Sequence, residues 1–147
     1  MNPFQSLRDY ELFIYTLPQT YLHILRSTLI VAQRKRTVAT ATGELLWATG
    51  HRLTVAEIVT WDSGPIVIQQ YGYEGWAGSE KLYWYDSQAH PNDPTLTSTH
   101  PHHKHLPPDI KHHRVPAPGL SFIQPNLPFL IEEIEREFLI GTASQTS

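Results

Sequence analysis

The stretch "HRLTVAEIVTWDSG", residues 51–64, followed at once by "PIVIQQYGY", residues 65–73, decides the reading of the fold. Leu53, Val55, Glu57, Val59 and Trp61 recur at every second position, so an extended chain carries them on one face. Asp62-Ser63-Gly64 is a turn signal, and the run after it is again rich in Ile, Val and Tyr. Two strands joined by so short a connection are antiparallel, because a parallel pair needs a long crossover.

The same pattern extends outward. "YLHILRSTLIVAQ" (21–33) and "RTVATATGELLWATG" (36–50) precede this pair, and "EKLYWYD" (80–86) follows it. Together they predict a curved antiparallel sheet of about five strands over residues 21–86, near the common size of a sheet. "YGYEGWAGSEK" (71–81) is glycine-rich but lacks phosphate-loop spacing, so its reading is a hairpin turn. Phe4, Leu7, Tyr10, Leu12, Ile14 and Tyr15 predict a helix over 4–17, ended by Pro18.

Residues 87–126 read differently. Nine of the twelve prolines fall between Pro91 and Pro128, and proline stiffens an extended chain, so an ordered loop across the sheet is expected. "PNLPFLIEEIEREFL" then predicts a C-terminal helix over 127–140, capped by Asn126 or Leu127 with Pro128 in its first turn. Leu127, Ile131, Ile134 and Phe138 form its expected buried stripe, and Glu132, Glu133, Glu135, Arg136 and Glu137 its other face. The whole is one α+β domain over 1–147, with a helix at each end, a polar tail at 142–147 and a long His/Pro-rich loop.

Composition narrows the chemistry. A hydrophobic share of 40% and a charged share of 17% describe a soluble globular chain. The formal charge of −3 neither implies nor excludes nucleic acid, and nine histidines make it soft to pH. Without cysteine there are no disulfides, thiolate metal sites or cysteine nucleophiles. The N-terminal residues have no basic start followed by an apolar run, and no apolar stretch reaches the ~20 residues of a membrane helix. A cytoplasmic location with no membrane partner is expected. P-loop, dinucleotide and nucleophile-elbow signatures are missing.

The chemistry concentrates in "HPHHKHLPPDIKHH", residues 100–113, which holds six of the histidines. His103 and His105 put two rings on one side of an extended chain. With His90 and Asp86 they form a candidate site for zinc or another divalent ion, which His100 or His112 would also complete. Acid–base cleavage of an RNA phosphodiester is the second chemistry: two imidazoles to move protons and Lys104 to hold phosphate. A third reading is structural, the imidazoles pinning a long loop to the sheet. Lys111 and Arg114 add positive charge, and Tyr71, Tyr73, Trp76, Tyr83, Trp84 and Tyr85 offer faces for unpaired bases, although aromatics on strands are more often core. Glu57 falls on the core face of its strand, where a bulge, an exposed rim or a plain salt bridge accounts for it more readily than function does. Asp86 ends the last strand.

Tyr85-Asp86, then His90, then Pro101-His102-His103-Lys104-His105 stand in an order that resembles the TumE-like toxins of bacterial toxin–antitoxin modules. "RLTVAEIV" with Glu57 and "YGY" with Tyr71 and Tyr73 are similar to further features of that family. The resemblance spans most of the chain but not the longer segment that holds His112 and His113. It implies growth inhibition restrained by a cognate antitoxin protein. The residue chemistry adds the expectation of a metal-independent endoribonuclease. His103 and His105 are its acid–base pair, Lys104 its phosphate contact, and His90 and Asp86 the groups that orient an imidazole. Glu57 is a supporting carboxylate, and Tyr85, Tyr73, Lys111 and Arg114 contact RNA. The alternatives are a divalent-metal-dependent hydrolase or nuclease using His90, His103, His105 and Asp86, and a non-catalytic protein-binding module. The sheet edges also make a homodimer conceivable.

Overall fold

Residues 2–140 are described by a computed structural model; the polar tail expected at 142–147 lies outside the described residues. The chain opens with helix α1 (Leu7–Tyr15) and the short α2 (Leu17–Thr20). Ser6 caps α1: its hydroxyl accepts from the Asp9 backbone N–H at 3.1 Å, a contact of the kind that stabilises a helix by about 1 kcal/mol. The expected single helix over 4–17 is therefore two. It ends at Tyr15, and Pro18 stands in the first turn of α2, where its missing N–H leaves no bond unmade.

Eight strands follow among the described residues: β1 (Ile24–Ser27), β2 (Ile30–Lys35), β3 (Val38–Trp47), β4 (His51–Thr60), β5 (Val67–Ala77), β6 (Glu80–Asp86), β7 (His103–His105) and β8 (Arg114–Pro116). A short 3-10 helix, Pro94–Thr99, lies between β6 and β7. The last helix, α3 (Leu127–Ile134), continues as a π-helical turn over Glu135–Ile140. No helix among the described residues is long and apolar enough to cross a membrane.

The sheet is antiparallel throughout, as expected, but it has eight strands and not about five. Two reasons account for the difference. The first apolar run splits at Thr28-Leu29, because ten-residue β3 pairs β2 along Val38–Thr42 and β1 along Leu45–Trp47. Between those two pairings stands Gly43 (φ +142), where a Cβ would lie 2.6 Å from the Thr28 carbonyl oxygen, so only glycine fits. Finally, the histidine segment is not all loop. His103–His105 pairs with the free edge of β6, and Arg114–Pro116 pairs with His103–His105. Strand order is β1–β3–β4–β5–β6–β7–β8, with β2 beside β1 on β3.

Helices α1, α2 and α3 contribute to one core with the sheet. Tyr10, Ile14 and Leu17 pack there with Leu127, Leu130, Ile131 and Ile134, over strand residues such as Leu45, Trp47, Leu53, Val55 and Tyr73. Tyr83 folds over Gly75, which has no side chain to block the ring. On the opposite, open face the small residues Ala56 and Gly72 stand in one cross-strand row, Thr42–Ala56–Gly72–Asp86–His103. That row leads from the middle of the sheet to the histidine edge.

Candidate active site

Strand alternation sorts the segment "HHKH". Register pairs His103 with Asp86, Lys104 with Tyr85, and His105 with Trp84. Residues opposite each other in an antiparallel pair share a face. His103, His105, Asp86 and Trp84 therefore stand on the open face, and Lys104 and Tyr85 on the core face.

Asp86 lies between the two imidazoles. Its Oδ1 is 2.8 Å from His103 Nε2 and its Oδ2 is 3.2 Å from His105 Nε2, while the two Nε2 atoms are 3.1 Å apart. All three residues are buried. The Gln88 backbone N–H donates to Asp86 Oδ1 at 3.0 Å, fixing the carboxylate in a tight turn at the strand's end. His103 Nδ1 is 3.0 Å from the Pro101 carbonyl oxygen, which can only accept, so Nδ1 carries the proton. Trp84 stacks on His105 with centroids 4.3 Å apart, and the His90 ring meets His103 edge-on at 4.8 Å.

The electrostatics follow from this packing. Burial works to raise the Asp86 carboxyl, but the hydrogen bond and charge of His103 and the Gln88 N–H outweigh it and hold the group below its ordinary value. Burial opposes charge on His103 as well, and there the hydrogen bonds to Asp86 and Pro101 win, so His103 is raised. For His105 burial prevails over the charge of Asp86, and its value falls. His90 is lowered by desolvation, by Arg114 and by His103.

A cleft of about 200 Å³ opens on this cluster. Asp86, His90, His105, Lys111, His112 and Arg114 line it, with Trp84 and Gln88. Trp84, Asp86 and Gln88 also line a groove of about 450 Å³ that runs over Ala56 and Gly72 between Thr40, Thr42 and Gln70. Cleft and groove thus share a wall on the open face.

Of the residues singled out in the sequence, Asp86, His90, His103, His105, Lys111 and Arg114 come together here. Lys104, Tyr73 and Tyr85 do not take up the expected positions, and Glu57, on the core face as expected, does not reach the cluster. Lys104 Nζ lies 3.3 Å from Glu133 Oε2 on the core side and over the Tyr83 and Tyr85 rings. The Tyr85 hydroxyl donates to Glu133 Oε2 at 2.8 Å, so neither ring face of this buried tyrosine is offered to a base. Glu57 is 2% exposed and accepts from the Tyr10 hydroxyl at 2.6 Å and the Tyr73 hydroxyl at 2.5 Å. It borders the groove but faces the core, and burial raises its carboxyl above the ordinary value although both phenols act to lower it.

Sequence reasoning misassigned Glu133 and Asn126. Glu133, expected on the solvent face of the last helix, is buried beside Lys104. Its spacing of three from Leu130 was the available signal, since i and i+3 share a helix face. Asn126 does not cap through its side chain. Its Oδ1 accepts from the Ser121 N–H at 2.8 Å and its amide donates to the Tyr73 hydroxyl at 3.1 Å. Trp84 gained its role only through the pairing of β6 with β7.

A single antiparallel sheet with helices on its core face and a histidine–carboxylate cluster at the edge of its open face defines a small α+β protein with a polar, cation-rimmed centre. The family model described as Toxin TumE matches residues 16–138, and the chain belongs to this family of toxins. No curated protein and no solved structure matches it significantly.

Proposed function

We propose that this protein is the toxin of a toxin–antitoxin pair and that it cleaves RNA phosphodiesters in the cleft over Asp86. One observation carries the reading. Imidazoles and a carboxylate form the floor of a cleft whose rim holds Lys111 and Arg114, so proton-transfer groups and fixed positive charge face the same small volume. Cleavage of RNA needs both. The 2′-oxygen attacks phosphorus as its proton passes to a base, the bond to the 5′-oxygen breaks, and that oxygen takes a proton from an acid. A lysine and an arginine at the rim suit the charge that builds on phosphate.

Within this reading His105 is the imidazole that both meets Asp86 and lines the cleft. His103 does not line the cleft, which disfavours the sequence expectation of His103 and His105 as an acid–base pair. The adjoining groove, open and floored by small residues, suits an unpaired strand, and Trp84 offers an aromatic wall. An antitoxin that covers the cleft would silence the protein, the relationship the family implies.

The test is cleavage of single-stranded RNA by the purified chain, beside His105→Ala, together with growth of cells expressing each without antitoxin. Cleavage and growth arrest that both vanish in His105→Ala support the reading. A wild-type chain that arrests growth and leaves RNA intact sinks the RNA assignment.

A further inference from the structure

We infer that Asp86, His103 and His105 form a site for one divalent transition-metal ion, in place of the metal-independent chemistry expected from the sequence. This rests on and deepens the RNA-cleavage reading by naming its cofactor, and it makes His105 a ligand, so that a metal-bound water and not the His105 ring moves the proton. The geometry itself does not depend on the substrate.

Three distances carry it. The separations among Asp86 Oδ1 or Oδ2, His103 Nε2 and His105 Nε2 are 2.8, 3.1 and 3.2 Å. A tetrahedral ion bonded at about 2.0–2.2 Å leaves its ligand atoms roughly 3.3 Å apart, so the three already sit close to one face of such a polyhedron. No other group of three or more such side chains converges this way among the described residues.

Protons serve this arrangement poorly. The Pro101 carbonyl takes the proton of His103 Nδ1, leaving a lone pair on Nε2 in the neutral ring. That lone pair faces a carboxylate oxygen and a second imidazole nitrogen. A proton on each Nε2 satisfies both contacts to Asp86 but sets two donors against each other at 3.1 Å; one cation satisfies all three contacts. The Nδ1-to-carbonyl bond of His103 is also the usual way a metal-bound histidine is held in orientation. The Trp84 ring does the same for His105 by stacking. Asp86 and His105 line the cleft, so an ion among the three ligands is open to solvent on one side, as a catalytic site requires. A cation there would lower the pKa of a bound water or alkoxide and neutralise charge on phosphate. With two nitrogens, one carboxylate and no thiolate, the ligand set suits Zn²⁺ and its first-row neighbours.

The experiment is titration of chelator-treated full-length protein with Zn²⁺ by calorimetry, with Co²⁺ absorption as a second readout. One ion per chain is expected, with a Zn²⁺-dependent rise in Tm and Co²⁺ bands of a low-coordinate nitrogen–oxygen site. His103→Ala and Asp86→Asn should each weaken binding more than about a hundredfold, beyond the 10–100-fold that loss of an orienting neighbour costs. His100→Ala with His113→Ala, both exposed, should keep it, which separates a built site from casual uptake by a histidine-rich segment. A wild-type chain that binds no Zn²⁺, or that loses its ion with His100 and His113, overturns the proposal whether or not the buried variants fold. RNA cleavage is scored separately. Binding at the triad without cleavage keeps the ion and removes the RNA reading, whereas cleavage that survives EDTA removes the ion and keeps the RNA reading.

Discussion

Lys104 Nζ lies 3.3 Å from Glu133 Oε2, a contact that ties edge strand β7 to helix α3 on the side of the sheet facing away from His103 and His105. The lysine is 18% exposed and the glutamate 6%, so removing the amine leaves a nearly buried carboxylate without its counter-charge, held only by the Tyr85 hydroxyl. Lys104→Ala should lower unfolding free energy by about 2–3 kcal/mol, somewhat less than a fully buried pair would lose. Urea denaturation reads this directly. RNA cleavage per folded molecule should be unchanged, and a variant of wild-type stability with no cleavage would instead return Lys104 to the reaction.

Glu57 makes stability depend on pH with a definite sign. Its carboxyl is raised above the ordinary 4.5 by burial, against the pull of the Tyr10 and Tyr73 hydroxyls. Between the unfolded and the raised native value the folded chain holds the extra proton, so stability is full below about 4.5 and falls as pH climbs through the native value. Glu57→Gln, always neutral, should lack this slope. Urea midpoints at pH 5 and pH 8 should show the variant gaining on the wild type at the higher pH. A gap that stays constant would mean that Glu57 is charged throughout.

The groove over Ala56 and Gly72 should carry substrate. Ala56 is exposed on β4, and tyrosine is at home on a strand, so Ala56→Tyr fills the groove without disturbing the core. Cleavage of a long single-stranded RNA should drop at least roughly tenfold, about 1.4 kcal/mol of lost transition-state stabilisation. Zn²⁺ binding at Asp86 should be untouched. Equal cleavage by both proteins would show that the strand takes another path.

Lys111 and His105 should separate by kind of defect. Lys111 is exposed at the cleft rim, and its loss should raise KM and reduce the salt slope of RNA binding by about 0.7, one phosphate's worth on a single strand. His105→Ala should lower kcat while leaving that slope alone. Binding curves over a range of salt and steady-state kinetics make the distinction; identical effects from both would merge the two roles.

Much of the site was legible because its signals are local. A period of two put Glu57 on the core face of β4 and both His103 and His105 on one side of their strand, before any partner was known. The same period, applied one residue further, also turns Lys104 away from them. The paired aromatics were harder. Tyr73 and Tyr85 read as stacking surfaces against a stronger expectation of core, and the buried acceptors Glu57 and Glu133 decide for the core.

The sequence by itself determined the antiparallel meander, its turns and the order of chemical groups along the chain, since these depend on alternation and on turn residues within a few positions of one another. The tertiary structure alone decided that β7 adds to the free edge of β6 in the register that sets Asp86 opposite His103, seventeen residues on. It likewise decided that β3 serves two partners and that Glu133 turns inward. Those outcomes rest on contacts between residues far apart in sequence, where backbone hydrogen bonding and burial are satisfied by whichever edge and face the rest of the fold leaves open.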